Sequence, residues 1–342
     1  MNHPKSTITI HDIAAAAEVS ISTVSLVLRD SPLVAKKTRE KILAVIENLG
    51  YVYNRSAASM RSQRSGVIAM SINDLANPYF SGLTSSMERA LNELDRTVLL
   101  SDVREDVVRQ TRFIEKMREH NVDGLLICPA HATDAKQLMT QLKRANLPCV
   151  LVSRNLPGSG LDYAGYDHRA GMRLAVEHLI ELGHTRIALL GGSRKTWVGG
   201  QRLEGYRQAL KKHGIKRDAT LEIEGPLNRS VGVNMIEHAL ALPNPPTAAA
   251  CANDAIAFGV MLGLRRHGLE AGRDFSITGN DDVAECTLWE PALTTVASNV
   301  DLIGERAAEL LLARIDNPDQ PAQHINLPLH LVVRGSTCPP LK

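Results

Sequence analysis

Thr9-Ile10-His11-Asp12-Ile13-Ala14-Ala15-Ala16-Ala17-Glu18-Val19-Ser20-Ile21-Ser22-Thr23-Val24-Ser25-Leu26-Val27-Leu28 is the stretch from which the rest of the chain can be read. Thr9 stands before an alanine-rich run with a carboxylate three positions on, so a hydroxyl cap and an early negative charge predict a helix start, and this helix ends near Glu18. Ser20 caps a second run after only a few residues, which is helix-turn-helix spacing. At the helical period Val24, Val27 and Leu28 share one face, and Ile21, Ser22, Ser25 and Leu26 share the other. Two readings fit that second face. It is part of the core of a small bundle, or it is offered to a major groove, where hydroxyls bond base edges or phosphates and aliphatic groups meet thymine methyls.

The following residues favour the groove. Lys36, Lys37, Arg39 and Lys41 open a third helix with Ile42, Val45, Ile46 and Leu49 at helical spacing, ending at Gly50. Then comes Asn54-Arg55-Ser56-Ala57-Ala58-Ser59-Met60-Arg61-Ser62-Gln63-Arg64, a short predicted helix of small residues with one bulky apolar group between arginines. Such a segment has little core of its own. An apolar wedge flanked by arginine suits a minor groove, where it enters a base step and kinks the duplex.

With Thr9–Ala14, Val19–Ser25, Thr38-Arg39-Glu40 and Asn54–Ala58 in this order and spacing, the chain resembles the LacI/GalR family of bacterial transcriptional repressors. The resemblance implies that Ile21, Ser22 and Leu26 read an operator half-site and that Met60 enters the operator centre. The DNA-facing set it implies is Thr9, Ser20, Ile21, Ser22, Thr23, Ser25, Leu26, Lys36, Lys37, Asn54, Arg55, Ala57, Met60 and Arg61. Leu26 stands where members often carry Arg or His, so a guanine contact is lost, and Met60 stands where Leu is usual; the resemblance therefore does not fix the operator sequence.

Charge is distributed to match. Residues 1 to 64 hold nine Lys or Arg against five Asp or Glu, while the whole chain of 342 residues carries +2, so the remainder is net negative. Only the N-terminal part is built for a polyanion. No apolar run has signal-peptide or membrane-spanning character, which predicts a cytoplasmic protein with no membrane partner. Five widely spaced cysteines and scattered histidines read as reduced core thiols with no metal site, and nothing calls for a cofactor.

From Gly66 the pattern alternates strand and helix twice over, which predicts parallel sheets covered on both sides and two similar lobes. The fold class is therefore α/β, an N-terminal helix-turn-helix domain plus a two-lobed domain that resembles the periplasmic-binding-protein fold. The resemblance divides the chain into a headpiece (1–52), a hinge helix and linker (53–65), a first lobe (66–161 with 292–320) and a second lobe (162–291 with 321–342). Ligands gather at the carboxyl ends of strands in such sheets. Asp74, Asp102, Asp167, the 191–197 loop, Asn253-Asp254 and Asp281-Asp282 stand there. An Asp in this position caps the next helix or contacts a ligand. The effector positions that the resemblance implies are Tyr79, Phe80, Asp167, Trp197, Arg202, Leu227, Asn253 and Asp281. Carboxylates, a guanidinium and an amide suit vicinal hydroxyls, and an aromatic ring covers an apolar sugar face. Leu227 replaces a frequent aromatic, and Thr196 stands where nucleobase-responsive members have arginine, which disfavours a purine. Gly191-Gly192 lacks both the GxGxxG spacing and the Gly-Lys-Ser/Thr of a phosphate-binding loop.

The predicted helix around Leu302 to Ile315 carries an apolar stripe of core or interface type. Only eight residues follow Arg334, without leucine heptads, so the expected assembly is a homodimer on a pseudo-palindromic operator, with no tetramer-forming tail. The leading function is a dimeric repressor whose two lobes sense a small metabolite, a sugar first among candidates, with inducer and co-repressor both compatible. A solute-binding protein and an α/β enzyme are the competing classes. The N-terminal 64 residues argue against the first, and the lack of a nucleophile elbow, P-loop or metal spacing against the second.

Overall fold

The computed structural model describes residues 8–28, 31–51 and 64–341, which fall into two units, 1–65 and 66–342. In the first unit, α1 (Ile10–Ala16), α2 (Ile21–Leu28) and α3 (Lys36–Leu49) enclose a small core of Ile13, Ala14, Ala17, Val24, Val27 and Ile42. Gly50 ends α3 in the left-handed region at φ 62°, where a residue without Cβ carries no steric cost. Arg39 donates to the Ser31 carbonyl and so ties the turn before α3 to its first helical turns. The hinge segment with Asn54, Arg55, Ala57, Met60 and Arg61 lies outside the described residues.

The second unit holds two six-stranded sheets. The first contains β1 (Val67–Ile72), β2 (Thr97–Asp102), β3 (Gly124–Ile127), β4 (Cys149–Val152), β5 (Asp162–Tyr166) and β11 (His324–Leu327), in the order β11-β5-β4-β3-β1-β2. The second contains β6 (Ile187–Leu190), β7 (Glu222–Ile223), β8 (Ala248–Cys251), β9 (Ser276–Asp281), β10 (Thr294–Ala297) and β12 (His330–Val332), in the order β12-β10-β9-β8-β6-β7. All pairings are parallel except β10 with β12. Strands buried on both faces, such as Leu125-Leu126-Ile127 and Ala248–Cys251, read as unbroken apolar runs for that reason.

Helices α4 (Pro78–Asn92), α5 (Val107–Glu119), α6 (Ala135–Ala145) and α11 (Val300–Asp316) belong with the first sheet. The stripe Ile303, Ala307, Leu310 and Leu311 on α11 is core, packed with Leu83, Met87 and Leu91 of α4. Helices α7 (His168–Glu181), α8 (Trp197–Lys212), α9 (Arg229–Leu240) and α10 (Asp254–Arg266) belong with the second sheet.

The lobe boundaries differ from those the sequence predicts. β5 pairs with β4 and β11, so the chain leaves the first lobe after Tyr166, not at 161/162. β10 pairs with β9 and β12, so the return lies after Ala297, not at 291/292. The third crossing lies between β11 and β12, at Pro328-Leu329, and not at 320/321. Each error is a few residues in the same direction. Crossings occur at strand ends, and which sheet receives a strand is settled by partners remote in sequence; β5 meets β11 about 160 residues downstream.

Candidate functional site

The N-terminal unit offers its second helix outward. The Ser20 hydroxyl accepts the Thr23 N–H at 3.1 Å and shares hydrogen bonds with Ser22 Oγ (2.7 Å) and Thr23 Oγ1 (2.8 Å). At the start of α1 the direction is reversed, the Thr9 N–H and hydroxyl both donating to the Asp12 carboxylate, which holds that carboxyl below its usual range. Val24 and Val27 are buried, Ile21 and Ser22 are exposed, and Ser25 and Leu26 are half-buried. The two faces of α2 thus separate into core and surface. Lys36 and Lys37 are exposed at the start of α3.

In the second unit a cavity of about 600 Å³ is lined from both sheets. The first lobe contributes Asp74, Asn77, Tyr79, Phe80, Glu105, His131, Ser153, Arg154 and Tyr166. Asn77 caps α4 by accepting the Tyr79 N–H, which sets Tyr79 and Phe80 in the first turn, their rings edge-on at 5.2 Å. Tyr79 Oη and Ser153 Oγ share a hydrogen bond of 2.7 Å. Arg154 Nη1 donates to Glu105 Oε2 at 3.0 Å, its Nη2 lies 2.8 Å from Oε1, and its guanidinium lies 5.4 Å from the Phe80 ring centre. That bidentate pair is complete within the protein. His131 is pushed down to about 4 by burial and by the charge of Arg154.

The second lobe contributes His168, Arg202, Leu227, Asn280 and Asp281 among others. His168 Nε2–H donates to the Ser153 carbonyl at 3.1 Å, joining the two lobes, and burial together with the charge of Arg202 pushes the imidazole to about 3. It is neutral at physiological pH. Arg202, 7 % exposed, has one ion-pair partner among the described residues, Asp281, Nη2 to Oδ1 at 3.8 Å. Its Nε and the Nδ2 of Asn280 have no hydrogen-bond partner among the described residues. Burial holds the Asp281 carboxyl well above its usual range, the charge of Asp254 adds to this, and Arg202 opposes it. A guanidinium this deep without a hydrogen bond is costly unless something in the cavity supplies acceptors.

Of the effector positions expected from sequence, Tyr79, Phe80, Arg202, Leu227 and Asp281 come together on the cavity wall, and three do not. Asp167 is exposed and caps α7, its Oδ1 accepting the Ala170 N–H at 2.9 Å. Asn253 is buried and caps α10, accepting the Ile256 N–H at 3.0 Å. In both the capping alternative describes the side chain, because the orphan N–H groups of a helix start claim its oxygen. Trp197 is the first residue of α8 and stands behind the wall, edge-on to His168 at 5.7 Å and to Tyr163 at 6.0 Å. Asp102 turns back to its own neighbour, accepting the Arg104 N–H. Sequence reasoning passed over Glu105, His131, Ser153, Arg154, His168 and Asn280. For Ser153-Arg154 the signal was present, since the pair stands at the carboxyl end of a strand, where Asp74 and Asp281 also stand.

Comparison with known proteins agrees with this geometry. Residues 9–54 match the model of bacterial regulatory proteins, lacI family, and residues 176–337 match a periplasmic binding protein-like domain. The chain is 30% identical over 332 residues to the HTH-type transcriptional regulator DegA of Bacillus subtilis (strain 168), covering 97% of this chain and 98% of that one. It is 31% identical over 329 residues to the ribose operon repressor of Escherichia coli (strain K12), covering 96% and 99%. Among solved structures, the lac repressor dimer bound to operator and the anti-inducer ONPF superposes with a TM-score of 0.86 at 29% identity, over 97% of this chain and 99% of that one. A LacI family regulator from Enterococcus faecium with bound ribose gives 0.72 at 28% identity, over 81% and 100%. These relatives are transcriptional regulators and not enzymes. With a helix-turn-helix unit at residues 9–54, a two-sheet cleft in the other unit and relatives matched over nearly their whole length, the chain belongs to the LacI family of bacterial transcriptional regulators.

Proposed function

We propose that this chain is a sugar-responsive repressor that binds a pseudo-palindromic operator as a homodimer, with residues 1–52 as headpiece and 53–65 as hinge. Thr9, Ser20, Ile21, Ser22, Thr23, Ser25, Leu26, Lys36 and Lys37 form the described part of the DNA-facing set; Asn54, Arg55, Ala57, Met60 and Arg61 complete it. A DNA-bound regulator works in the cytoplasm, and among the described residues no single helix is long and apolar enough to cross a membrane. Relatives bound to operator and to ribose support both halves of the reading.

The observation that carries the effector half is the Arg202–Asp281 pair, a buried guanidinium and a half-buried carboxylate facing the cavity without a direct hydrogen bond. A sugar hydroxyl placed between them accepts from the guanidinium and donates to the carboxyl, which satisfies both. Phe80 and Leu227 give the wall apolar surface for the carbons of the sugar. The sugar must favour one lobe arrangement, and the three crossings carry that preference to the dimer and its headpieces. Induction and co-repression differ only in which arrangement it favours.

Two carboxylates of the cleft are already paired, Glu105 with Arg154 and Glu224 with Arg194, and Asp281 stands beside Arg202. The experiment is operator selection from random-sequence duplexes, followed by fluorescence anisotropy of the selected duplex with ribose, glucose, cellobiose and galactosides, and a turnover assay on the same sugars. A shift of about tenfold in operator affinity with one sugar and no consumption of it is the expected result. A chain that selects no sequence, or that converts the sugar, overturns the proposal.

A further inference from the structure

Asp281 occupies backbone that a non-glycine residue rarely adopts, with φ 127°, followed by Asp282 at φ 60°. Such a conformation persists only where its surroundings over-determine it. Three contacts do so. The Ser298 N–H and hydroxyl donate to the Asp281 carbonyl at 3.2 and 2.8 Å. Arg334 donates to Asp282 Oδ1 at 2.7 Å. The Val283 N–H donates to Asp254 Oδ2 at 3.0 Å.

Asp254 is the deepest of these, 1 % exposed at the start of α10. Besides Val283, its carboxylate accepts the Cys286 thiol at 3.1 Å and the Thr295 hydroxyl at 2.6 Å. One side chain thus ties β10, the turn after β9 and the start of α10 together. Gly279 leaves the room for it, since a Cβ there would run into the Asp254 carboxylate. Neither Asp254 nor Arg334 forms part of the cavity wall.

We propose that Asp254 is a positioning residue, holding the Asp281–Val283 turn in its strained conformation so that the Asp281 carboxylate faces Arg202. This rests on the reading of Asp281 as an effector contact. Without Asp254 the Val283 N–H loses its acceptor, and nothing on that side keeps Asp281 from relaxing to an ordinary negative φ. Asparagine keeps one oxygen for Val283 and Cys286, and the Thr295 hydroxyl can turn to accept from the new amide. Asp254→Asn is therefore the conservative variant and Asp254→Ala the disruptive one.

The test uses the full chain as wild type, Asp254→Ala, Asp254→Asn, Asp281→Ala and the Asp254→Ala/Asp281→Ala double variant. Ligand-free crystal structures give the Asp281 backbone, and calorimetry gives the affinity for ribose, glucose and cellobiose. In Asp254→Ala, Asp281 is expected to leave the positive-φ region and sugar binding to weaken about tenfold, with Asp254→Asn within about twofold of wild type. The double variant binds no more weakly than Asp281→Ala alone. A merely structural role lowers the unfolding midpoint of Asp254→Ala but leaves Asp281 in place and makes the two losses add. Either of those two results overturns the proposal. If Asp254→Ala does not fold, Asp254→Ser, whose hydroxyl is too short to reach the Val283 N–H, takes its place with the same expectations. If wild type binds none of the three sugars, that counts against the sugar reading, and the Asp281 backbone in the variant crystal decides this proposal alone.

Discussion

The N-terminal unit and the cleft use polar side chains in opposite ways. Around α1 and α2, Thr9 finds Asp12 and Ser20 finds Thr23, each within three residues and in contact with water. In the cleft, Arg202 and Asp281 stand 79 positions apart in sequence, are brought together by two elements of one lobe, and make no hydrogen bond to each other. Locally satisfied, solvated groups make a surface that is finished before its partner arrives. Buried, unsatisfied groups make a site that is finished by its ligand. The first should respond to salt and tolerate single changes; the second should ignore salt and tolerate few.

The largest effect should come from salt on the first region. Raising ionic strength from about 50 to 200 mM should weaken operator binding about a thousandfold for a dimer neutralising roughly six phosphates, while sugar affinity changes less than about twofold. Anisotropy and calorimetry across one salt series measure both. A parallel loss of sugar affinity would erase the contrast between the regions.

Next comes Arg202→Met, which removes the buried guanidinium and leaves Asp281 without it. Sugar binding should fall about a hundredfold, near 3 kcal/mol, with sugar-free operator affinity unchanged within about twofold. Calorimetry with the responsive sugar checks the first part, and anisotropy with the selected duplex the second. Loss of operator binding in the same variant would mean that the two regions share one stability and not two separate roles.

The same contrast explains what was legible in the sequence. Caps and helical faces are local, so the two helices at the N-terminus and the outward position of Ile21 and Ser22 follow from spacing alone. Lobe boundaries are not local, and β5 and β10 were assigned to the wrong lobes because their hydrogen-bond partners lie far along the chain. Asp281 and Asp167 look alike in sequence, each an aspartate after a strand. Asp281 faces the cleft because Ser298, Arg334 and Asp254 hold its turn, whereas Asp167 begins a helix and its oxygen goes to Ala170. The Arg154–Glu105 pair was passed over because nothing near either residue announces the other, 49 positions away.

A smaller effect belongs to Ser22→Ala. The Ser22 hydroxyl is exposed and shares a hydrogen bond with Ser20, so its loss should weaken operator binding about fivefold, roughly 1 kcal/mol, and relax preference at one base step. Selection from random duplexes, repeated with the variant, shows which position relaxes. An unchanged selection would place Ser22 outside the interface.

A separate effect should be seen on acid stability. His168 is held at about 3 in the folded chain, below its usual 6.5, so the unfolded chain takes up a proton that the folded one refuses. Its contribution is complete above about pH 6.5 and is lost progressively as pH falls toward about 3. His168→Gln removes that proton uptake, so its unfolding midpoint should fall less steeply than wild type between pH 6.5 and 4. Thermal unfolding of both proteins across that range gives the comparison, and equal slopes would mean that His168 is solvated.

The most direct test of the whole account is thermodynamic reciprocity. If one sugar alters operator affinity through the lobes, the operator must alter affinity for that sugar by the same factor. Calorimetric sugar affinity is measured on the free chain and on the chain saturated with its selected duplex, and operator affinity with and without saturating sugar. The account predicts two ratios that agree, each differing from one by about tenfold or more. Tight binding of both ligands with both ratios equal to one would contradict it, leaving a DNA-binding unit and a sugar-binding unit that share a chain and nothing else.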